Sequence, residues 1–458
     1  MNYFDLALPS RANFLVGALA VALIGILGLG TLIEVMYLLP SPGGDSVQFL
    51  RVSHTFCAWG FLGTDSARLP GDRFVWHGFL SPYFYGSSGL GCTPRSYYSL
   101  NAILKIATAL LVLRVAREAG HARISGLALA ILVVAAQAKV QFRPEALAIF
   151  IVFLAEWALL ASRPVAFGIA EGLLCWCQPT VWGLYSLFVL LRKGSTLFNR
   201  SGWILGGFSV TFIVLSMLYP FPLVDLLTGL SNQARRLSGS GGAGEDSLDY
   251  YVATHFLPFW FALFLAAFAV CCRRTPWLLL MTPVLWWFGP RVPPTNYILI
   301  SLLPVVVSVA MNAPGRRVSI LFPAACLVVG LVGAAQGLVR DGLTIAQYGN
   351  SFAETSTLID RDARSNDFTI GLLPSFVFLT NPSLSPTRRF VTQADPGARR
   401  EGSVIDYFVV TGRPLSPCPL QTSSQTNSLS LFGRVIFNSN SGYGVYRCVR
   451  KPEKAADG

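Results

Sequence analysis

Long apolar runs separated by short basic breaks fill the first three quarters of the chain and then stop. A helix needs about 20 predominantly apolar residues to cross the ~30 Å hydrocarbon core of a bilayer. Runs near that length predict spans at residues 12–32, 97–113, 124–138, 146–160, 165–176, 181–191, 202–219, 256–270, 277–288, 296–311 and 318–338. That makes about eleven crossings, several of them short. The pair either side of Cys177-Gln178-Pro179 reads locally as two crossings or as one long helix bent at the proline, which lacks a backbone donor.

Beyond Arg340 the pattern turns polar and alternating. Strand-like runs at 405–410, 435–437 and 443–449, separated by Gly, Pro, Asn and Ser, predict a small folded α/β domain. Asp406-Tyr407 sits on one of these strands in a pattern common in parallel sheets, and residues 360–367 read as a solvated helix end or turn. The expected organisation is an α-helical polytopic membrane domain over 1–339, with outer loops at 40–96 and 220–255, followed by a C-terminal extracytoplasmic α/β domain over 340–458.

Composition agrees: 53% of the 458 residues are hydrophobic, 13% are charged, and the mean hydropathy is +0.54. Such a chain has the bilayer as its main solvent. Lys and Arg gather in short cytoplasmic loops. With the N-terminus inside, the inner loops carry Arg114, Arg117 and Arg123, then Arg163, then Arg192, Lys193 and Arg200, then Arg273 and Arg274, then Arg316 and Arg317. Every inner loop is basic only if the chain crosses twice around Pro179. The same count puts 40–86 and the C-terminal tail outside. The net charge of +12 therefore reads as a topology signal, and nucleic acid is not an expected partner. The first span is long and no small-residue cleavage site clearly follows it, so no cleavable signal peptide is expected.

Cys57 and Cys92 in the first outer loop, and Cys418 and Cys448 in the tail, fall on the oxidising side. Spacing leaves disulfides and free thiols both open for these pairs. Cys175, Cys177, Cys271, Cys272 and Cys326 read as small apolar packing residues, and no zinc-type spacing with the four histidines occurs.

Polar residues expected at the outer face are Asp45, His54, Asp65, Asp72, His77, Lys139, Arg143, Glu145, Gln178, Arg235, Arg236, Asp246, Asp249, His255, Arg291 and Asn296. Asp45 stands directly behind the first span, either as a reactive carboxylate at the membrane surface or as the N-cap of the next stretch. Lys139, Arg143 and Glu145 lie at the mouth of two apolar helices, where unpaired charge is costly. Arg and Lys there suit a phosphate; alternatively Arg143 snorkels or pairs with Glu145. His77, beside Trp76, is a substrate ligand or a hydrogen-bonded interfacial residue. Over 47–63, Val47, Leu50, Val52, Phe56 and Trp59 oppose Gln48, Arg51, Ser53 and His54, as in a helix lying in the interface. The loop at 224–254, with Arg235-Arg236 and the glycine-rich run 238–244, reads as a flexible linker or as a cover over bound substrate.

In order along the chain these features resemble the GT-C glycosyltransferases, membrane enzymes that use polyprenyl-phosphate sugars, such as the protein O-mannosyltransferases and aminoarabinose transferases. Gly44-Asp45-Ser46, the stretch 47–63 and Trp76-His77-Gly78-Phe79-Leu80-Ser81-Pro82 resemble the family's first outer loop. Phe142-Arg143-Pro144-Glu145 resembles its Arg-Pro-acid element, and Gln178-Pro179 its Lys-Pro or Gln-Pro break. Arg291, Asn296-Tyr297 and Pro304 resemble a late element opening a span, and 442–446 is similar to strand endings of some members' tails. The weight lies in their order, since each motif alone is unspecific.

The resemblance implies inverting transfer of a sugar from a polyprenyl-phosphate-linked donor to a lipid, glycan or protein hydroxyl, in a bacterial inner membrane. It implies Asp45 as base, and His77, Lys139, Arg143, Glu145, Arg291, Asn296 and Tyr297 as substrate-binding residues. Many members carry two adjacent acids where this chain has Asp45-Ser46. A divalent metal would then need another carboxylate, for which Asp65 and Asp72 are candidates. A transporter or flippase of lipid-linked sugar, or a non-catalytic envelope assembly protein, is the alternative class. Against transport, matching halves are missing, and Glu34, Glu156 and Glu171 lie near span ends.

Overall fold

A computed structural model describes residues 10–37, 49–50, 52–53, 56–57, 80–87, 94–138 and 141–218, scattered positions between 326 and 345, and strand segments between 368 and 449. The helices are α1 (Ser10–Tyr37), α2 (Leu80–Gly86), α3 (Pro94–Glu118), α4 (Arg123–Gln137), α5 (Pro144–Leu160), α6 (Pro164–Cys177), α7 (Pro179–Phe198) and α8 (Ser201–Leu218). The spans expected at 256–270, 277–288 and 296–311 lie outside the described residues.

Proline sets where these helices begin. It disfavours helical geometry in the residue before it and is well suited to the first helical position. Arg143 (φ −98°, ψ 157°), Arg163 (φ −104°, ψ 82°) and Gln178 (φ −151°, ψ 92°) are accordingly non-helical, and α5, α6 and α7 each start at the proline that follows.

Among the described residues, two helical stretches, Gly17–Tyr37 in α1 and Arg95–Glu118 in α3, are long and apolar enough to cross a membrane; α4, α6 and α8 hold shorter apolar segments. Only 11% of the apolar window in α1 is buried. The core helix of a soluble protein would be mostly buried, so the exposed Val21, Leu29, Leu32 and Met36 need lipid or another cover. Apolar side chains on α8, among them Trp203, Leu205, Val210 and Met217, are exposed in the same way.

By their contacts the residues form two compact units. The first comprises Met1–Gly28, Val75–Ser81 and Ile103–Ala334. Its described core is α4 to α8, with Phe153, Trp176, Tyr185 and Phe188 fully buried. Its closest seam joins α6 to α8. A methyl group on Gly168 would lie 2.0 Å from the Ile204 carbonyl oxygen, and one on Gly207 would lie 2.3 Å from the Val165 carbonyl oxygen. Thr211, whose hydroxyl donates to the Gly207 carbonyl at 3.0 Å, fills the next position beside Gly172. Small residues four apart are how helices approach closely where water gives no drive to associate.

α6 and α7 are separate helices, and the chain reverses at Gln178. The Cys177 thiol donates to the Pro144 carbonyl at 3.3 Å, so the end of α6 meets the start of α5. Pro164, at the other end of α6, shares a cavity with Arg192 and Leu197 late in α7. Two crossings around Pro179 require such a reversal.

The second unit comprises Leu29–Phe74, Pro82–Ala102 and Ala335–Gly458. It holds β1 (Phe368–Gly371), β2 (Phe390–Val391), β3 (Ile405–Val410), β4 (Leu420–Ser424), β5 (Ser428–Leu431), β6 (Arg434–Asn438) and β7 (Tyr443–Val449). Five strands form one sheet in the order β2-β1-β3-β7-β4, and β5 pairs with β6. β1 runs parallel to β2 and β3, and β7 runs antiparallel to β3 and β4. Parallel neighbours need a crossover of about a dozen residues or more, and 372–389 and 392–404 supply that length. Asp406 sits in the parallel pair opposite Phe368 and faces Cys448 on β7.

β7 spans the residues expected as a strand-like run at 443–449. One sequence reading changes. In the stretch 47–63 the described residues are helical as expected, but Phe49, Leu50, Val52 and Ser53 are buried within protein rather than left for the interface. Gly86 at the end of α2 explains the tight fit: a methyl group there would lie 2.6 Å from the Ser53 carbonyl oxygen. The Phe56 and Tyr83 rings pack at 4.9 Å, and the Tyr85 hydroxyl donates to Asn101 on α3 at 3.3 Å.

Candidate functional site

The polar cluster that draws most on the residues singled out above sits where α4 passes into α5. Gln141 and Phe142 turn the chain, and Phe142 adopts φ +64° while 1% exposed. The left-handed region is a rare place for a bulky side chain and costs on the order of 1–3 kcal/mol. Burial of the ring holds it there. Arg143 then takes its extended geometry ahead of Pro144, and Glu145 falls in the first turn of α5, where the helix dipole favours a carboxylate.

Arg143 and Glu145 are 4% and 1% exposed. Arg143 Nε donates to Glu145 Oε2 at 3.2 Å and Nη2 to Oε1 at 3.4 Å. Gln178, fully buried at the break between α6 and α7, donates from Nε2 to Glu145 Oε1 at 3.2 Å. Two elements 33 residues apart therefore meet on one carboxylate. An isolated buried charge would cost several kcal/mol, and the pairing makes both charges tolerable. Of the readings open for Arg143, the structure shows the pair with Glu145.

A second polar chain supports this corner. Gln137 at the end of α4 donates from Nε2 to the Ala146 carbonyl at 2.7 Å and to Thr108 Oγ1 at 3.1 Å, and Thr108 donates to the Leu104 carbonyl at 2.8 Å. Gln137 Oε1 is buried without a partner among the described residues. On α3, Asn101, Lys105 and Thr108 are all buried at helical spacing. Lys105 was not singled out by the sequence reading. A buried lysine in an apolar span is a functional hypothesis by default, and the polar stripe 101, 105, 108 is the signal that marks it.

Glu156 and Glu171 have partners inside the bundle. Tyr185 donates to Glu156 at 2.8 Å, Arg192 Nη2 reaches both Glu156 oxygens at 2.9 and 2.7 Å, and Ser186 donates to Glu171 at 2.6 Å.

Asp45, His54, Asp65, Asp72, His77, Lys139, Arg235, Arg236, Asp246, Asp249, His255, Arg291, Asn296 and Tyr297 lie outside the described residues, as does the loop at 224–254. Cys57 is disulfide-bonded; Cys175, Cys177 and Cys326 are free and buried.

No family model matches the chain, and no curated protein does. Among solved structures the chain is similar to ArnT from Cupriavidus metallidurans bound to undecaprenyl phosphate, with 15% identity and a TM-score of 0.36. The match covers 74% of this chain and 63% of that one, so the chain spans less than two thirds of ArnT's length.

Proposed function

We propose that the chain is an inverting glycosyltransferase that moves a sugar from a polyprenyl-phosphate carrier to an acceptor hydroxyl. The reaction takes place at the outer face of a bacterial cytoplasmic membrane. The observation that carries the reading is the meeting of Arg143, Glu145 and Gln178: the two sequence elements that resemble the family's Arg-Pro-acid element and its Lys-Pro or Gln-Pro break share one buried hydrogen-bonded cluster.

In this reading Asp45 accepts the proton of the acceptor hydroxyl. The acceptor oxygen bonds to the anomeric carbon as the bond from that carbon to the phosphate oxygen breaks, and polyprenyl phosphate leaves with the electron pair. Negative charge grows on the departing phosphate. A guanidinium held in place before the reaction, in surroundings of low dielectric, stabilises that charge without reorganising. Glu145 fixes the orientation of the Arg143 guanidinium, and Gln178 fixes Glu145. Lys139 and Arg291 are the further cations proposed for the phosphate. His77 positions the acceptor or bonds the phosphate, and Glu145, Asn296 and Tyr297 complete the binding residues. The acceptor is a lipid, glycan or protein hydroxyl. Disulfide bonding of Cys57 supports the outer placement of this loop, because such bonds persist in oxidising compartments.

The test is reconstitution in vesicles with a polyprenyl-phosphate sugar and acceptor extract. Asp45→Asn is expected to abolish transfer while protein level and carrier binding persist. Full transfer by that variant would remove the proposed base. Translocation of the carrier without transfer would move the protein to the flippase class.

A further inference from the structure

A second charged site lies at the opposite end of α5, α6 and α7 from the Arg143 cluster. A cavity of about 260 Å³ opens between the α5–α6 turn and the α7–α8 turn. Its polar lining is Ser162, Arg163, Arg192, Lys193 and Arg200, and no acidic residue lines it among the described residues. Arg192 is the built part of the site. Its side chain is 7% exposed, and Nη2 is held by Glu156 at 2.7 Å. Its Nε and Nη1 are buried and have no hydrogen-bond partner among the described residues. Buried donors normally find partners, and each orphan calls for an explanation. Pairing with Glu156 neutralises one cation and leaves Arg163, Lys193 and Arg200 around the opening.

The backbone around the cavity is irregular at the places that shape it. α7 breaks at Lys193 (φ −131°, ψ 18°), one residue past Arg192, and Ser162 adopts φ +54° in the turn before α6. Arg200 Nη1 donates to the Ser162 carbonyl at 3.5 Å, joining the two turns. Arg163 stacks over Trp157 at 5.0 Å, which holds it at the rim. α6 and α8 both start beside the cavity, and helix N-termini favour anions.

Basic loops on the inner face of a membrane protein are ordinary topology signals. Such a signal needs only solvated cations, and it explains neither a buried arginine with two orphan donors nor a cavity lined by two loops. We propose that this cavity binds a phosphate-bearing anion on the cytoplasmic side. Its volume is below the ~300–1,000 Å³ of sites for drug-sized ligands, which suits a phosphate or a single headgroup rather than a whole lipid. With Nη2 on Glu156, Nε and Nη1 of Arg192 lie on different edges of the guanidinium, so each is left with a single charge-assisted hydrogen bond to make rather than a bidentate pair. Lipid headgroups and soluble phosphates share this chemistry. The site is independent of sugar transfer on the outer face.

The full chain is placed in nanodiscs of phosphatidylcholine alone, in nanodiscs that also contain phosphatidylglycerol, and in phosphatidylcholine with inorganic phosphate titrated against chloride at matched ionic strength. The thermal midpoint and bound-lipid stoichiometry are read in each. Stabilisation by phosphatidylglycerol identifies a lipid headgroup, and stabilisation by phosphate over chloride identifies a soluble ligand. Lys193→Gln/Arg200→Gln alters exposed residues only and is expected to weaken the apparent affinity about thirtyfold. Arg192→Lys keeps a cation beside Glu156 but removes the Nε and Nη1 donors, and is expected to lose the phosphate effect while the chain stays folded. Equal stability in all three conditions, or unchanged affinity in Lys193→Gln/Arg200→Gln, would overturn the proposal.

Discussion

Arg143 and Glu145 form a net-neutral pair in a place where either charge alone would be expensive. Removing one partner of a buried pair typically costs about 3–5 kcal/mol, whereas replacing both with apolar groups of similar size is often neutral or better. Arg143→Ala is therefore expected to lower the thermal midpoint sharply, and Arg143→Met/Glu145→Met to recover most of the loss. If Arg143 serves the departing phosphate, the recovered double variant still transfers no sugar; transfer at the native rate would leave the pair a purely structural role. Both halves of this cluster were legible in the sequence as separate motifs. Their contact was not, because it depends on α6 turning back at Gln178 to bring that residue onto the start of α5. Lys105 was missed for a different reason: one cation in a long apolar run hardly changes the hydropathy that defines a span.

Helix starts were readable because proline dictates them locally, as at Pro144, Pro164 and Pro179. Which faces pack together is a tertiary matter. The sequence does carry Gly168 and Gly172 four apart, yet the partner of that stripe, α8 around Gly207, emerges only in the fold. In Gly168→Ala the new methyl would meet the backbone of Ile204, and overpacking of this kind costs typically 1–3 kcal/mol. A lower thermal midpoint in detergent is the expected result, and an unchanged one would mean that the seam opens without cost. Gly183→Ala is the matched control. Nothing lies within 4 Å of the new methyl there, and alanine in a helix interior gains roughly 0.5–1 kcal/mol over glycine. The strands show a similar split. β3, β6 and β7 were legible as alternating apolar runs, whereas β4 (LQTSS) and β5 (SLSL) are polar and serine-rich, with strand identity set by their neighbours.

For the whole molecule, the distribution of arginine and lysine carries the most information, because it turns a set of apolar runs into a topology. The cavity between the α5–α6 and α7–α8 turns places Arg163 and Arg200 at the same end of the helices, as two loops on one side of a membrane require. The sidedness itself is a property of the membrane and is tested there. Ser87 and Asn199 are both exposed, and the charge pattern assigns the first to an outer loop and the second to an inner one. Cysteines placed at these positions, one at a time, should differ in their reaction with a membrane-impermeant maleimide on intact spheroplasts. Ser87→Cys is expected to label directly, above the signal of the native cysteines, and Asn199→Cys only after permeabilisation. The native background is small where thiols are buried, as at Cys175, Cys177 and Cys326, or oxidised, as at Cys57. The reverse labelling pattern would place Arg163, Arg192 and Arg200 outside and the Asp45 loop in the cytoplasm. It would overturn sugar transfer at the outer face and move the basic cavity away from cytoplasmic phosphates, whereas the helix seams and the Arg143–Glu145 pair would stand unchanged.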